Sequence, residues 1–306
     1  VSVSDCASLA GNATKITARG FGWTHAGRSE AALSDIDVVI EPGERVLLCG
    51  DSGSGKSTLL AAMAGVLGSD EEGTRTGELL LEDSSGLVEE PGHTIPVGLV
   101  LQDPDSQVIS ARVGDDIAFG CENLAYPREE IWRRVTAAKE LVGPFVDLDF
   151  PTERLSGGQK QRLALAGVIA MGAGVVLLDE PTANLDPAGA RDVVRAVSRL
   201  VEETGATLVV VEHQHAAWDG VLDRAVELDH GRIVADTSFA KVDQRRQVSG
   251  LPQARRLGEA ELAHREAALW STDLVTRYGP PRTIALPEGA STVITGPNGA
   301  GKSTWL

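Results

Sequence analysis

Residues 45–58 read Arg-Val-Leu-Leu-Cys-Gly-Asp-Ser-Gly-Ser-Gly-Lys-Ser-Thr. A short β-rich run enters a glycine loop, and good helix formers follow from Lys56 to Leu67. The loop, Gly50, Asp51, Ser52, Gly53, Ser54, Gly55, Lys56, Ser57 and Thr58, satisfies the pattern GxxxxGK[ST]. Glycine lets a backbone wrap closely around phosphate with its N–H groups pointing inward. The helix that follows adds the positive end of its dipole. Lys56 supplies a point charge for β- and γ-phosphates, and Ser57 offers a hydroxyl to Mg²⁺.

Outward from this loop, compact apolar runs recur at residues 96–101 (PVGLVL), 175–179 (VVLLD) and 206–211 (ATLVVV). Runs that are apolar on both faces suit parallel strands covered by helices. Residues 187–204 read as a helix with Val193, Val194, Val197, Leu200 and Val201 on one side. This strand–helix alternation predicts an α/β domain. Residues 14–42 read as an antiparallel β-meander placed ahead of the loop. Residues of about 108–168 carry no strong strand and read as an inserted helical subdomain. Within it Pro127 stands as an N1 proline, and Ile131, Val135, Ala138 and Val142 keep helical spacing.

The pattern restarts near residue 265 and reaches a second glycine loop: Gly296, Pro297, Asn298, Gly299, Ala300, Gly301, Lys302, Ser303 and Thr304. Lys56 and Lys302 are 246 residues apart, one domain length. An internal duplication with its second copy cut off is expected: a first domain over 1–245, a linker over 246–264, and the start of a second domain over 265–306. Arg245, Arg246, Arg255 and Arg256 near the linker read as a solvated surface.

The chain has 306 residues, with 28 Lys and Arg against 44 Asp and Glu, a formal charge of −16. Such acidity argues against a broad nucleic-acid-binding face, which needs clustered Lys and Arg. The longest uncharged stretch, Leu163 to Leu178, has 16 residues. As a helix it would reach about 24 Å, short of a hydrocarbon core of about 30 Å. Three cysteines, Cys6, Cys49 and Cys121, lie far apart without a CxxC spacing, which fits a reducing compartment.

Two further stretches carry chemistry. Val175 to Asp179 ends in Asp179-Glu180. At the tip of a central strand, Asp179 can reach Mg²⁺ through water, and Glu180 can orient or deprotonate a water near the γ-phosphate. A strand-end pair that only caps a helix is the alternative. Ser156-Gly157-Gly158-Gln159 opens an apolar helix with several free N–H groups, a second anion site. One nucleotide does not need two cradles on one subunit. The second is expected to serve a phosphate held by another domain, with ATP at a dimer interface.

The order GDSGSGKST, Gln102, LSGGQ, VVLLDEPTANLDP and His213 resembles ABC-family ATPase domains across about residues 12–240. The resemblance implies a P-loop NTPase α/β fold: a RecA-like parallel sheet core, an N-terminal antiparallel β subdomain and an inserted α-helical signature subdomain. It makes ATP and Mg²⁺ the expected ligands. By resemblance, Lys56, Ser57 and Thr58 belong to the Walker A loop, and Gln102 lies near Mg²⁺ and the attacking water. Ser156 and Gly158 touch the γ-phosphate in trans, Asp179 is the Walker B aspartate and Glu180 the catalytic base. Asp186 resembles the D-loop aspartate. His213 resembles the switch histidine; His215 stands as the alternative, because strand alternation would put both on one face. Trp23 is the candidate for stacking on adenine, where the family usually carries Tyr, with core packing as the alternative reading. Tyr278 occupies the similar place in the second copy.

Residues 101–107 (LQDPDSQ), with 113–120 and 122–124, resemble the energy-coupling-factor ATPases, which drive importers of vitamins and of cobalt or nickel ions. The expected partners are a transmembrane coupling subunit, a substrate-binding membrane subunit and a second ABC ATPase domain, from the same chain or a second copy. The expected place is peripheral, on the cytoplasmic face of the cell membrane. The alternative is a tandem ABC ATPase acting on ribosomes or DNA; it would be expected to show a long charged linker or a basic face.

Overall fold

A computed structural model describes residues 13–67, 72–143, 146–213, 215–241, 266–274, 282–288 and 292. The chain divides into two units, one of residues 1–185 and 189–245, the other of residues 186–188 and 246–306.

The first unit is built on a six-stranded sheet. Its strands are β3 (Arg45–Cys49), β6 (Val97–Val100), β7 (Val175–Asp179), β8 (Thr207–Val211), β9 (Arg224–Asp229) and β10 (Arg232–Ser238). Their order is β10-β9-β3-β8-β7-β6, parallel throughout except for the antiparallel pair β9–β10. The apolar runs explain why these strands are central. Side chains alternate across a strand, and here both faces are covered. Val176, Leu178, Leu208 and Val210 enter one core, with α2 (Val113–Asn123), α3 (Arg128–Leu141), α4 (Gly157–Met171) and α5 (Pro187–Thr204). Val175, Leu177, Val209 and Val211 enter the other, with α1 (Lys56–Met63) and an antiparallel sheet. Each fully buried Val or Leu contributes about 1.5–3 kcal/mol of transfer free energy.

That second sheet has the order β2-β1-β4-β5, from β1 (Lys15–His25), β2 (Leu33–Ile40), β4 (Gly73–Glu82) and β5 (Val88–Glu89). The meander expected over 14–42 is therefore two strands, with β4 joining on the far side of β1. The helical subdomain is present as α2, α3 and α4, and α4 runs on to Met171. Two boundaries differ from the sequence reading. α1 stops at Met63, not Leu67, because Gly65 turns the chain with φ 71°. Pro127 is the N-cap of α3, not its first helical residue, since its ψ of 143° is extended.

In the second unit β11 (Ala267–Leu274) and β12 (Arg282–Pro287) pair antiparallel, with Leu269 opposite Leu286 and Trp270 opposite Ala285. The linker, Cys6, Tyr278 and the second glycine loop, Gly296 to Thr304, lie outside the described residues. Among those residues no helix is long and apolar enough to cross a membrane.

Candidate functional site

β3 delivers the chain to the first glycine loop, and the loop's shape needs its glycines. Gly50 and Gly55 have φ of 139° and 103°, a range that L side chains avoid. A Cβ on Gly50 would stand 2.1 Å from the Leu228 carbonyl oxygen, and one on Gly55 2.8 Å from that of Ala32. The loop is thus wedged between the start of β2 and the end of β9. Lys56, 7% exposed, folds its ammonium back onto the loop, donating to the carbonyls of Gly50 at 3.0 Å and Asp51 at 2.8 Å. The Ser54 hydroxyl is buried, with no hydrogen-bond partner among the described residues. A curved loop with a cation across its mouth and an unsatisfied hydroxyl in its floor fits a polyphosphate. Ser57, exposed at the start of α1, and Asp179, half-buried at the end of β7, are hard oxygen donors of the kind Mg²⁺ takes beside phosphate.

Glu180 follows β7 directly. Its φ is 47°, left-handed, which costs a residue with a side chain about 1–2 kcal/mol. Two backbone bonds hold that conformation: Glu180 N–H donates to the Val211 carbonyl at 2.9 Å, and Ala183 N–H to the Glu180 carbonyl at 3.0 Å. Both carboxylate oxygens are engaged. The Gln102 amide donates to Oε2 at 3.1 Å, and His213 Nε2 lies 3.1 Å from Oε1. Gln102 comes from the end of β6 and His213 from the end of β8, the two strands that flank β7. Three adjacent strand ends therefore bring together Gln102, Glu180 and His213.

The Ser156 turn is built otherwise. Ser156 caps α4 with a reciprocal pair: its N–H donates to Gln159 Oε1 at 2.8 Å, and its hydroxyl accepts from Gln159 N–H at 3.4 Å. Ser156 and Gly157 are exposed. The nearest atoms to a Cβ on Gly157 or Gly158 are those of Leu185, Pro104 and Gly189, at 3.6 Å or more, and none belongs to the glycine loop. The second cradle faces outward.

A protein-family model described as ABC transporter matches residues 33–183. The energy-coupling factor transporter ATP-binding protein EcfA1 of Caldanaerobacter subterraneus is 37% identical over 243 residues, 78% of this chain and 84% of that protein. The chain belongs to the ABC transporter ATP-binding family. A putative ABC transporter ATP-binding protein of Methanosarcina mazei is 36% identical over 255 residues, and the chain spans 43% of its length. A second relative, from Methanosarcina acetivorans, is spanned over 36%. Among solved structures, cbiO1 of Clostridium perfringens, described as part of the ABC transporter complex cbiONQ, superposes with a TM-score of 0.65 at 29% identity. It is matched over 78% of this chain and 93% of its own.

Within this ABC domain the two histidines separate. His213 stands on Glu180 with 47% of its side chain exposed. His215 is buried, and its Nε2 meets the Glu212 carbonyl at 2.9 Å, which requires the proton on Nε2. Strand alternation does not carry through, because β8 ends at Val211 and His215 begins a 3-10 turn. Trp23 departs from the adenine-stacking expectation: it is 5% exposed and packed in the β-sheet core. Its Nε1 donates to His25 Nδ1 at 3.1 Å, and a Cβ on Gly73 would meet its ring at 2.2 Å. Its ring is thus occupied by protein, the alternative reading given for it. Asp186 lies one residue before α5.

The sequence reading missed Glu212. It is 4% exposed, accepts from Thr182 Oγ1 at 2.5 Å, and accepts from the His213 N–H at 2.8 Å. A carboxylate continuing the buried run TLVVV was the signal. The two described cysteines, Cys49 and Cys121, are buried, and burial pushes the Cys121 thiol up to about 11.

Proposed function

We propose that this chain binds Mg-ATP and hydrolyses it as the nucleotide-binding part of an energy-coupling-factor type importer. The observation that carries the reading is the Glu180 carboxylate, held between Gln102 and His213 at the end of β7. Lys56 turns from the loop carbonyls to the β- and γ-phosphates, where its charge meets stronger acceptors. Loop N–H groups and the α1 dipole complete that side. Glu180 takes a proton from the attacking water, Gln102 fixes that water's position, and His213 contacts the γ-phosphate. Ser57, Asp179 and Gln102 would hold Mg²⁺, whose role is to neutralise phosphate charge.

The outward Ser156–Gly158 turn supports a paired assembly. Its free N–H groups meet the γ-phosphate of ATP bound by a second ABC domain, with Asp186 at the same interface. That domain belongs to a second copy of the chain or is a further ABC ATPase domain. ATP closes the pair and hydrolysis reopens it.

A membrane partner is read from the surface around Gln102–Gln107. Leu101 (40% exposed) and Ile109 (61%), on either side of that stretch in the sequence, present apolar side chains to solvent. An amphipathic helix of a transmembrane subunit fits such a surface. The chain then works at the cytoplasmic face of the membrane, with a further membrane subunit selecting a vitamin or a cobalt or nickel ion.

Phosphate release tests the base. Glu180→Gln keeps the shape and removes the proton acceptor, so turnover should fall by about 10²–10³-fold while Mg-ATP binding persists. Turnover near that of the parent chain would remove Glu180 from the mechanism.

A further inference from the structure

Gln161 lies on α4, five residues beyond Ser156, and is 0% exposed. A buried primary amide has two N–H donors and a carbonyl, and leaving any of them unpaired is costly. Here all are engaged. Nε2 donates to the Leu101 carbonyl at 3.1 Å and the Pro181 carbonyl at 3.3 Å. Oε1 accepts from Gln107 Nε2 at 3.1 Å. Both carbonyls can only accept, so the orientation of the amide is fixed by its partners.

The partners are informative. Leu101 precedes Gln102, and Pro181 follows Glu180. One buried NH₂ group thus bridges the carbonyl just before Gln102 and the carbonyl one residue past Glu180, the two residues whose side chains meet at 3.1 Å. Gln107 grips Leu101 as well, accepting from its N–H at 2.9 Å and donating to its carbonyl at 3.0 Å. The Lys160–Asp105 ion pair ties the same two segments, but Asp105 is 74% exposed, and solvent screens that contact. The buried amide is therefore the stiff link between α4 and the Gln102–Glu180 pair.

We propose that Gln161 is a positioning residue: it sets the spacing of Gln102 and Glu180 and ties that spacing to the helix that carries the Ser156 turn. It rests on the reading of Glu180 as the base. Glu180 sits in a left-handed conformation that its neighbours must impose, and the Gln161 bond to the Pro181 carbonyl anchors the chain that follows it. A shift of α4 would move Glu180 and Gln102 together.

The test uses the full chain with Gln161→Met, which keeps length but removes the donors. Leu165→Ala, also buried on α4, serves as a control for general destabilisation. Gln161→Met should lower kcat by at least about tenfold with KM for Mg-ATP within about threefold of parent. Hydrogen exchange without nucleotide should quicken by about fivefold in peptides 99–107 and 178–186, and stay unchanged in 45–63. Leu165→Ala should lower the thermal midpoint without this kcat loss. Parent-like kcat, an equal kcat loss in Leu165→Ala, or unaltered exchange in either segment overturns the proposal. If the parent releases no phosphate, the reading of Glu180 fails, and the exchange comparison alone decides on Gln161.

Discussion

Glu180 holds a backbone conformation that glutamate avoids, and three separate strands supply what keeps it there. β7 carries it, β8 accepts its N–H through Val211, and β6 brings Gln102 to its carboxylate. Lys56 is the matching residue on the proposed phosphate side, and its ammonium donates to two loop carbonyls. Replacing it with alanine removes the point charge that phosphate would attract. Lys56→Ala should weaken Mg-ATP binding by at least about a hundredfold in titration calorimetry, with the thermal midpoint little changed. Parent-like affinity would contradict that role. The placing of Lys56 on the glycine loop and the meeting of Gln102 with Glu180 were legible in the sequence, because the motif pattern puts those residue types in that order. Trp23 was not, because an aromatic residue reads alike whether its ring is open or packed, and Gly73 and His25 decide the matter in space. Gln161 was illegible for a similar reason: a polar residue in an apolar helix shows its meaning only when Leu101 and Pro181 come within reach.

Among the elements, α3 and α4 are joined by charge as well as by packing. Glu130 accepts from Arg133 Nε at 2.8 Å and from Arg134 Nε at 2.7 Å. Arg134 also donates to the Ala170 carbonyl at 3.1 Å, at the C-terminal end of α4, where a cation suits the helix dipole. The Arg133 hydrogen bond, followed by that of Arg134, lowers Glu130 to about 2. A carboxylate lowered on folding stabilises the native state above its unfolded value and loses that contribution as pH falls toward the folded one. The thermal midpoint of the parent should exceed that of Glu130→Gln above pH about 5, and the difference should vanish by pH about 2. A constant difference across that window would contradict the coupling. The apolar periodicity of α3 and α5 was legible because it repeats. Element ends were less so: Gly65 and Pro127 act through φ and ψ, and one residue's backbone angle moves a boundary.

For the whole molecule, the outward signature turn is the decisive fact. On the proposed reading this exposed helix N-terminus, with no atom of the Gly50–Thr58 loop near its glycines, is a half-site. The glycine loop of the same chain is the other kind of half. Two such chains, or one chain and a further ABC domain, can complete each other around ATP. The charge of −16 leaves that anion to be drawn in locally by Lys56 and backbone dipoles, not by the overall field. Sedimentation velocity of the Glu180→Gln chain, with and without Mg-ATP, tests this pairing most directly. Nucleotide should convert the single chain to a two-chain species that dissociates when ATP is removed. One unchanged single-chain boundary at saturating Mg-ATP would contradict it.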